Sequence, residues 1–272
     1  MHPIRPPAVA GSFYPGRSKN LSHDVLSMLA AAEPDAAGTA AAPPKALIVP
    51  HAGYIYSGST AAQAYAQLAT VRQTIRRVVL LGPVHRVPVR GLALPGADFF
   101  ATPLGQIEID QDAVAAIRAL RQVVVSPAAH AQEHSLEVQL PFLQLALDDF
   151  KLLPLAVGDA TPAEVAQVLD VLWGGDETLI VISSDLSHFL PYATAQAVDH
   201  ETVQGILQLQ PGLNHQQACG ATPVNGLLLA AGRHHLQPQL LKLCNSGDTA
   251  GDKGRVVGYA ALAFTQGTAY GH

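Results

Sequence analysis

The sequence predicts an α/β fold, a three-layer sandwich in which helices cover both faces of a mostly parallel central sheet. Three observations carry this. Short aliphatic and β-branched runs recur along the chain, each bounded by Pro, Gly or Ser, the pattern of strands buried on both faces. Amphipathic stretches of helical period lie between them, so strand and helix alternate. The composition, 49 % apolar and 14 % charged, supplies a large core, where about 25 % charged residues is usual.

In chain order, a helix is expected over 18–32. Residues 30–44 (AAAEPDAAGTAAAPP) form an Ala/Pro/Gly-rich connector, read as a flexible loop before the first core strand at 46–49. A helix over 59–70 leads to a strand at 77–81; helices over 110–121 and 135–148 lead to a strand at 152–157. Thr161-Pro162-Ala163-Glu164 offers Thr as N-cap, Pro at the first position and Glu at the third, and opens a helix over 161–173. A strand at 178–182, helices over 196–209 and 222–235, and a strand at 256–264 complete the series. No repeat or composition shift divides the chain, so residues 1–272 read as a single domain, long enough to bury a core without disulfides.

Several functions are disfavoured at once. Sixteen Lys and Arg oppose twenty-one Asp and Glu, a net charge of -5, and no basic block is present, so nucleic acid is not an expected partner. The two cysteines, Cys219 and Cys244, form no CxxC and no disulfide framework. The start, Met1 to Pro7, does not read as a secretory signal, and no stretch reads as membrane-spanning, so a soluble, cytoplasmic protein is expected. There is no GxGxxG after a strand, no GxxxxGK[ST], no GxSxG and no HExxH.

The informative polar residues fall just past strands. His51 lies two residues beyond the first core strand, His85 four beyond the second, and Asp185 and His188 follow the strand at 178–182. Open parallel sheets bind ligands beyond the carboxyl ends of their strands. Any one of these His could cap or pack a loop; three in the same topological position point to a shared site. A Gly-rich polar loop before the last strand, Cys244-Asn245-Ser246-Gly247-Asp248-Thr249, adds Asp248 and Cys244. Two His and one carboxylate with open positions suit non-haem iron(II), and the same ligands suit a hydrolytic zinc. His130 to His134 matches H-x-x-E-H, but the helix is expected to begin near Ser135, leaving His130 in the preceding loop and the peptidase geometry broken. His134 and Glu137 are then acid/base candidates at a helix N-terminus.

Beyond these features, Arg5-Pro6-Pro7-Ala8-Val9-Ala10-Gly11-Ser12-Phe13-Tyr14-Pro15, Pro50-His51-Ala52-Gly53-Tyr54, Gly82-Pro83-Val84-His85, Glu133-His134-Ser135-Leu136-Glu137, Ser184-Asp185-Leu186-Ser187-His188 and Gly258-Tyr259-Ala260 together resemble the Memo family over residues 5–265. Its microbial members are called AmmeMemoRadiSam system protein B, which implies radical-SAM and Ammecr-domain proteins as partners. The family's fold is similar to that of class III extradiol dioxygenases, which bind iron(II) through two His and one Glu. The resemblance makes His51 and His85 metal ligands and His188 the acid/base residue, and places His134 in the same pocket. In animal members the third ligand is a Cys in the loop before the last strand. Counted back from Tyr259-Ala260-Ala261, that position falls near Asp248 or Thr249, so Asp248 is the expected third ligand and Cys244 the lesser candidate. Val84 stands where a small polar residue is expected.

Two functions from different classes follow. One is a mononuclear metal enzyme, iron(II) favoured with copper or zinc as alternatives, in which His188, oriented by Asp185, moves protons for a small-molecule substrate. The other is a non-catalytic protein that binds metal or a partner's peptide. A structural metal is disfavoured, because such sites are usually closed by four ligands, often with several Cys.

Overall fold

The aliphatic runs become the centre of one wide sheet. The computed structural model describes residues 2–32 and 42–267. Its strands are β1 (Ile4–Arg5), β2 (Pro44–Val49), β3 (Arg77–Pro83), β4 (Leu92–Leu94), β5 (Phe99–Thr102), β6 (Gly105–Glu108), β7 (Val123–Val125), β8 (Lys151–Val157), β9 (Thr178–Ser183), β10 (His188–Leu190), β11 (Leu236–Asn245) and β12 (Val256–Gln266). The α-helices are α1 (Ser18–Ala31), α2 (Tyr54–Ala66), α3 (Gln111–Ile117), α4 (Pro127–Ala131), α5 (His134–Glu137), α6 (Leu140–Ala146), α7 (Pro162–Leu172), α8 (Tyr192–Leu207) and α9 (Ala221–Arg233). Of the connector expected at 30–44, α1 and β2 take the ends, and 33–41 lie outside the described residues.

The main sheet runs β10-β12-β2-β9-β3-β8-β4-β7, with β11 also on β12. Its centre, β2-β9-β3-β8, is parallel, with Ala46 beside Ile180, Val79 beside Ile180 and Val79 beside Leu153. The flanks correct the mostly parallel expectation: the sheet is mixed. β12 runs antiparallel to β2, β10 and β11, and β4 runs antiparallel to β8. The cause is connection length. Residues 246–255 and 84–91 are too short for a crossover helix, so each returning strand reverses direction. β11 escaped the sequence reading because Gln237, Pro238, Gln239 and Lys242 interrupt its apolar pattern. An outer strand tolerates Pro238, since one side of it has no ladder to complete.

Successive residues of each central strand point to opposite faces, which makes the layers. Leu47, Val49, Val78, Leu80 and Val181 pack with Leu21 and Val25 of α1, Tyr65 of α2 and Phe142 of α6. Ile48, Val79, Leu81, Ile180 and Ile182 pack with Leu169 of α7, Ile206 of α8 and Leu228 of α9. The capping box at Thr161 and Glu164 is present, and Pro162 opens α7. The helix expected over 135–148 is two helices, α5 and α6, with Pro141 in the first turn of the second. No described helix is long and apolar enough to cross a membrane.

Candidate metal centre

The carboxyl ends of β2 and β3, with α5 beyond them, bring three imidazoles together. Ligand nitrogens of His51, His85 and His134 lie within 4.8 Å of one another. The His85 and His134 rings stack at 4.6 Å and 26°, while His51 stands nearly perpendicular to both, at 5.3 and 5.4 Å. Gly82 makes this approach possible. A Cβ there would meet Ser135 Oγ at 2.9 Å and Leu136 Cδ2 at 3.0 Å, so any larger residue would push α5 off β3.

Hydrogen-bond counting fixes which nitrogen two of the rings, His51 and His85, present. The Ser183 hydroxyl has one proton, and at 2.6 Å from the Ser135 carbonyl it must donate it there. It therefore only accepts from the Gln139 amide at 2.8 Å and from His51 Nδ1 at 2.9 Å. The Gln139 assignment is itself constrained, because its oxygen accepts from Tyr65 OH and its nitrogen donates to the Pro50 carbonyl. His51 thus carries its proton on Nδ1 and presents the Nε2 lone pair. The Glu133 carboxylate accepts from His85 Nδ1 at 2.8 Å and from His85 N–H, and lies 3.4 Å from His134 Nδ1, so His85 also presents Nε2. Burial pushes the Glu133 carboxyl up, but the His85 hydrogen bond and charge and the Ser135 and His85 amides outweigh it and hold it at about 2. Burial holds His51 well below the ordinary imidazole range and brings His134 to about 4. Both rings are neutral at pH 7, the form that binds metals.

A thiol touches one of these rings while lying outside the three-imidazole group. Cys219 Sγ lies 3.3 Å from His51 Nε2, and Cys219 lines, with His85 and His215, a cavity of about 370 Å³. Gly220 allows it: a Cβ there would fall 2.7 Å from Ser184 Cβ and 2.9 Å from the Ser183 carbonyl, so only glycine lets the start of α9 press against the end of β9. Burial pushes the thiol up to about 12. Its one legible signal was the Cys219-Gly220 pair ahead of that helix.

The remaining expected residues divide. His188 lies close enough for its charge to bear on His51, and its Nδ1 donates to the Leu186 carbonyl at 2.8 Å, leaving Nε2 as a proton acceptor. Burial lowers its pKa. Asp185 does not orient it, contrary to expectation: Asp185 Oδ1 accepts from His51 N–H at 2.7 Å, and burial raises its carboxyl to about 7. Asp248 is not brought to the imidazoles. Its carboxylate accepts from Tyr192 OH and from Asn245 N–H, closing a capping turn. Cys244 Sγ is 3.1 Å from Thr60 Oγ1 and shares with Asp248 a separate hollow of about 600 Å³. Glu137 is fully buried and spends its carboxylate on the Arg5 guanidinium, Ala8 N–H, Val9 N–H and Tyr14 OH, which tie the N-terminal segment to α5. That segment lays Phe13 4.8 Å from the His134 ring. His130 lies on α4, not in a loop, with Nε2 on the Ala93 carbonyl, and takes no part in the cluster.

Comparison with known proteins gives a consistent picture. The family model described as Memo-like protein matches residues 5–263. A MEMO1 family protein of Metallosphaera sedula is 35 % identical, covering 96 % of this chain and 99 % of the relative. MEMO1 family proteins of Methanosarcina barkeri and Aquifex aeolicus are each 36 % identical, covering 95 % and 96 % of this chain and 99 % of each relative. Among solved structures, an uncharacterized Escherichia coli K12 protein, JW3007, superposes with a TM-score of 0.50 at 15 % identity, covering 80 % of this chain and 98 % of that one, a likeness of fold alone.

Proposed function

This chain belongs to the Memo family, and on that premise we propose that it is a mononuclear metal-dependent enzyme, a non-haem iron(II) oxidoreductase working in the cleft beyond the strand ends. The observation that carries the reading is the convergence of His51, His85 and His134 with two Nε2 lone pairs fixed in place by Ser183 and Glu133. Metal-bound imidazoles characteristically donate their other N–H to a fixed acceptor in this manner. His51, His85 and His134 would hold the ion, with the Cys219 sulfur beside His51 as a further candidate donor. A metal deprotonates a coordinating thiol outright, which offsets the burial that otherwise keeps Cys219 protonated. Imidazole donors suit iron, copper and zinc alike, and iron(II) is the ion proposed.

When bound, iron(II) supplies Lewis acidity and one-electron chemistry. The chain's own residues do the rest. His188 takes a proton at Nε2 while the Leu186 carbonyl fixes its ring through Nδ1. Phe13 packs against the His134 ring. A metal carrier needs no such base, which favours catalysis over the non-catalytic reading. The similarity in fold to class III extradiol dioxygenases belongs to this proposal.

Metal content per chain after anaerobic purification tests it. Near one equivalent of iron is expected in the native protein, in Asp248→Ala and in His188→Ala, with loss in His51→Ala. No metal bound or taken up on reconstitution, or full occupancy in His51→Ala, would overturn the reading.

A further inference from the structure

The cavity that His85 and Cys219 line has walls of its own beyond these two residues. Its volume of about 370 Å³ is at the small end of the range for ligand pockets, about 300–1,000 Å³. One wall is the loop after β3, with Val84 and Val89, joined by Val157 at the end of β8. The other is the start of α9, with Thr222 and Pro223. The first wall is pinned in place by backbone hydrogen bonds. Val84 N–H donates to the Val157 carbonyl at 3.0 Å, and Asp159 N–H to the Val89 carbonyl at 2.7 Å.

The lining is mostly hydrocarbon. Val84, at a position where a small polar residue is expected, adds to the apolar wall. Among the described residues no Lys or Arg lines the cavity, and its one carboxylate, Asp159, is exposed, where an ion pair contributes little. A charged ligand would therefore lose water against these walls without gaining a partner that repays the loss. One hydrogen-bonding pair breaks the apolar surface. His215 Nδ1 lies 3.3 Å from the Cys219 carbonyl, which can only accept, so Nδ1 carries the proton. A neutral ring then accepts at Nε2, 3.4 Å from Thr222 Oγ1, and the Thr222 hydroxyl donates to it. The Thr222 oxygen keeps its lone pairs for a donor on a ligand.

We propose that this cavity is the substrate pocket of the cleft and takes a small, neutral, largely apolar molecule that carries a hydroxyl group. The hydrocarbon body lies against Val84, Val89 and Val157, and the hydroxyl donates to Thr222. This rests on the proposed metal enzyme and names the class of its substrate. Thr222 and Val84 are then specificity-determining residues, the first for the hydroxyl and the second for the apolar body. A site that bonds a hydroxyl discriminates against the analogue without one, because its own polar group is left unpaired.

Calorimetric titration with cyclohexanol tests the pocket. The comparisons are cyclohexanone, which has no hydroxyl proton, and the two ions cyclohexanecarboxylate and cyclohexylammonium. Metal content is measured on the same samples. Cyclohexanol is expected to bind at least tenfold tighter than either ion and several-fold tighter than cyclohexanone. Thr222→Val, which keeps the side chain's shape, is expected to weaken cyclohexanol several-fold and leave cyclohexanone unchanged. Val84→Ser is expected to weaken both. Binding of either ion as tight as that of cyclohexanol, no saturable binding of cyclohexanol, or unchanged cyclohexanol affinity in both variants would overturn the proposal. Cyclohexanol bound with the expected selectivity by protein that takes up no metal would leave the pocket standing and overturn the metal reading alone.

Discussion

At the scale of single residues, one hydroxyl proton orders the site. Because Ser183 must donate to the Ser135 carbonyl, His51 must donate to Ser183, and its Nε2 is free. Ser183→Ala removes that acceptor and is expected to lower metal affinity by roughly 10–100-fold, measured by competition with a chelator; unchanged affinity would show that the tautomer is held another way. His130 offers a test of burial. It is 1 % exposed, its Nδ1 has no partner, and burial brings its pKa to about 4 from 6.5. A histidine whose folded pKa lies below the unfolded one stabilises the neutral protein fully above pH 6.5, and that contribution is lost as pH falls from 6.5 to about 4. His130→Gln keeps a donor for the Ala93 carbonyl and cannot titrate. Its stability is expected to fall less than the native protein's between pH 7 and 5, by about 2 kcal/mol on the linkage scale, read by urea denaturation; parallel losses would contradict this. His51 and His85 were legible because they follow recognisable strands. Cys219 was not, since what makes it a neighbour of His51 is the close approach of Gly220 to β9, a tertiary fact.

At the scale of elements, the N-terminal segment and α5 form one unit through a buried ion pair. Arg5 also donates to the His130 and Glu133 carbonyls, so the pair fixes the loop that delivers Glu133. The motif that stood out in the sequence as Glu133-His134-Ser135-Leu136-Glu137 therefore mixes two roles: Glu133 and His134 belong to the site, and Glu137 to its scaffold. Sequence spacing cannot separate them, because both carboxylates occupy the same short helical turn. Breaking one partner of a buried pair commonly costs 3–5 kcal/mol, and Arg5→Met is expected to cost about that much, with a marked fall in Tm; a shift of only a degree or two would mean that the pair contributes little. Strand β10 carries the opposite case: Phe189, 59 % exposed, has φ 60°, in the left-handed region. Relieving a left-handed non-glycine residue is worth of order 1 kcal/mol, so Phe189→Gly is expected to leave stability unchanged or raise it by up to about 1 kcal/mol, whereas destabilisation by several kcal/mol would place the ring in the core after all.

At the scale of the whole molecule, the parallel centre and its two packed faces were readable from four aliphatic runs, because strands buried on both sides have no polar positions to obscure them. The mixed edges were not, because β4, β7 and β10 are short and β11 is broken by Pro238. Those edges matter to the site, since the hairpin of β11 and β12 carries Asp248 away from the imidazoles. A ligand that binds only the folded chain stabilises it by mass action, about 2.7 kcal/mol at a hundred times its Kd. Iron(II) under anaerobic conditions is therefore expected to raise Tm by several degrees, with a chelator reversing the rise and His51→Ala abolishing it.

The most direct test of the metal centre is the visible spectrum of the cobalt(II)-substituted protein, in which a bound thiolate gives an intense sulfur-to-metal charge-transfer band. That band is expected in the native protein, in Cys244→Ser and in Asp248→Ala, and is expected to vanish in Cys219→Ser while the weaker ligand-field bands of an imidazole site remain. A charge-transfer band that persists in Cys219→Ser, or cobalt binding abolished by Asp248→Ala, would contradict a centre built from His51, His85, His134 and Cys219.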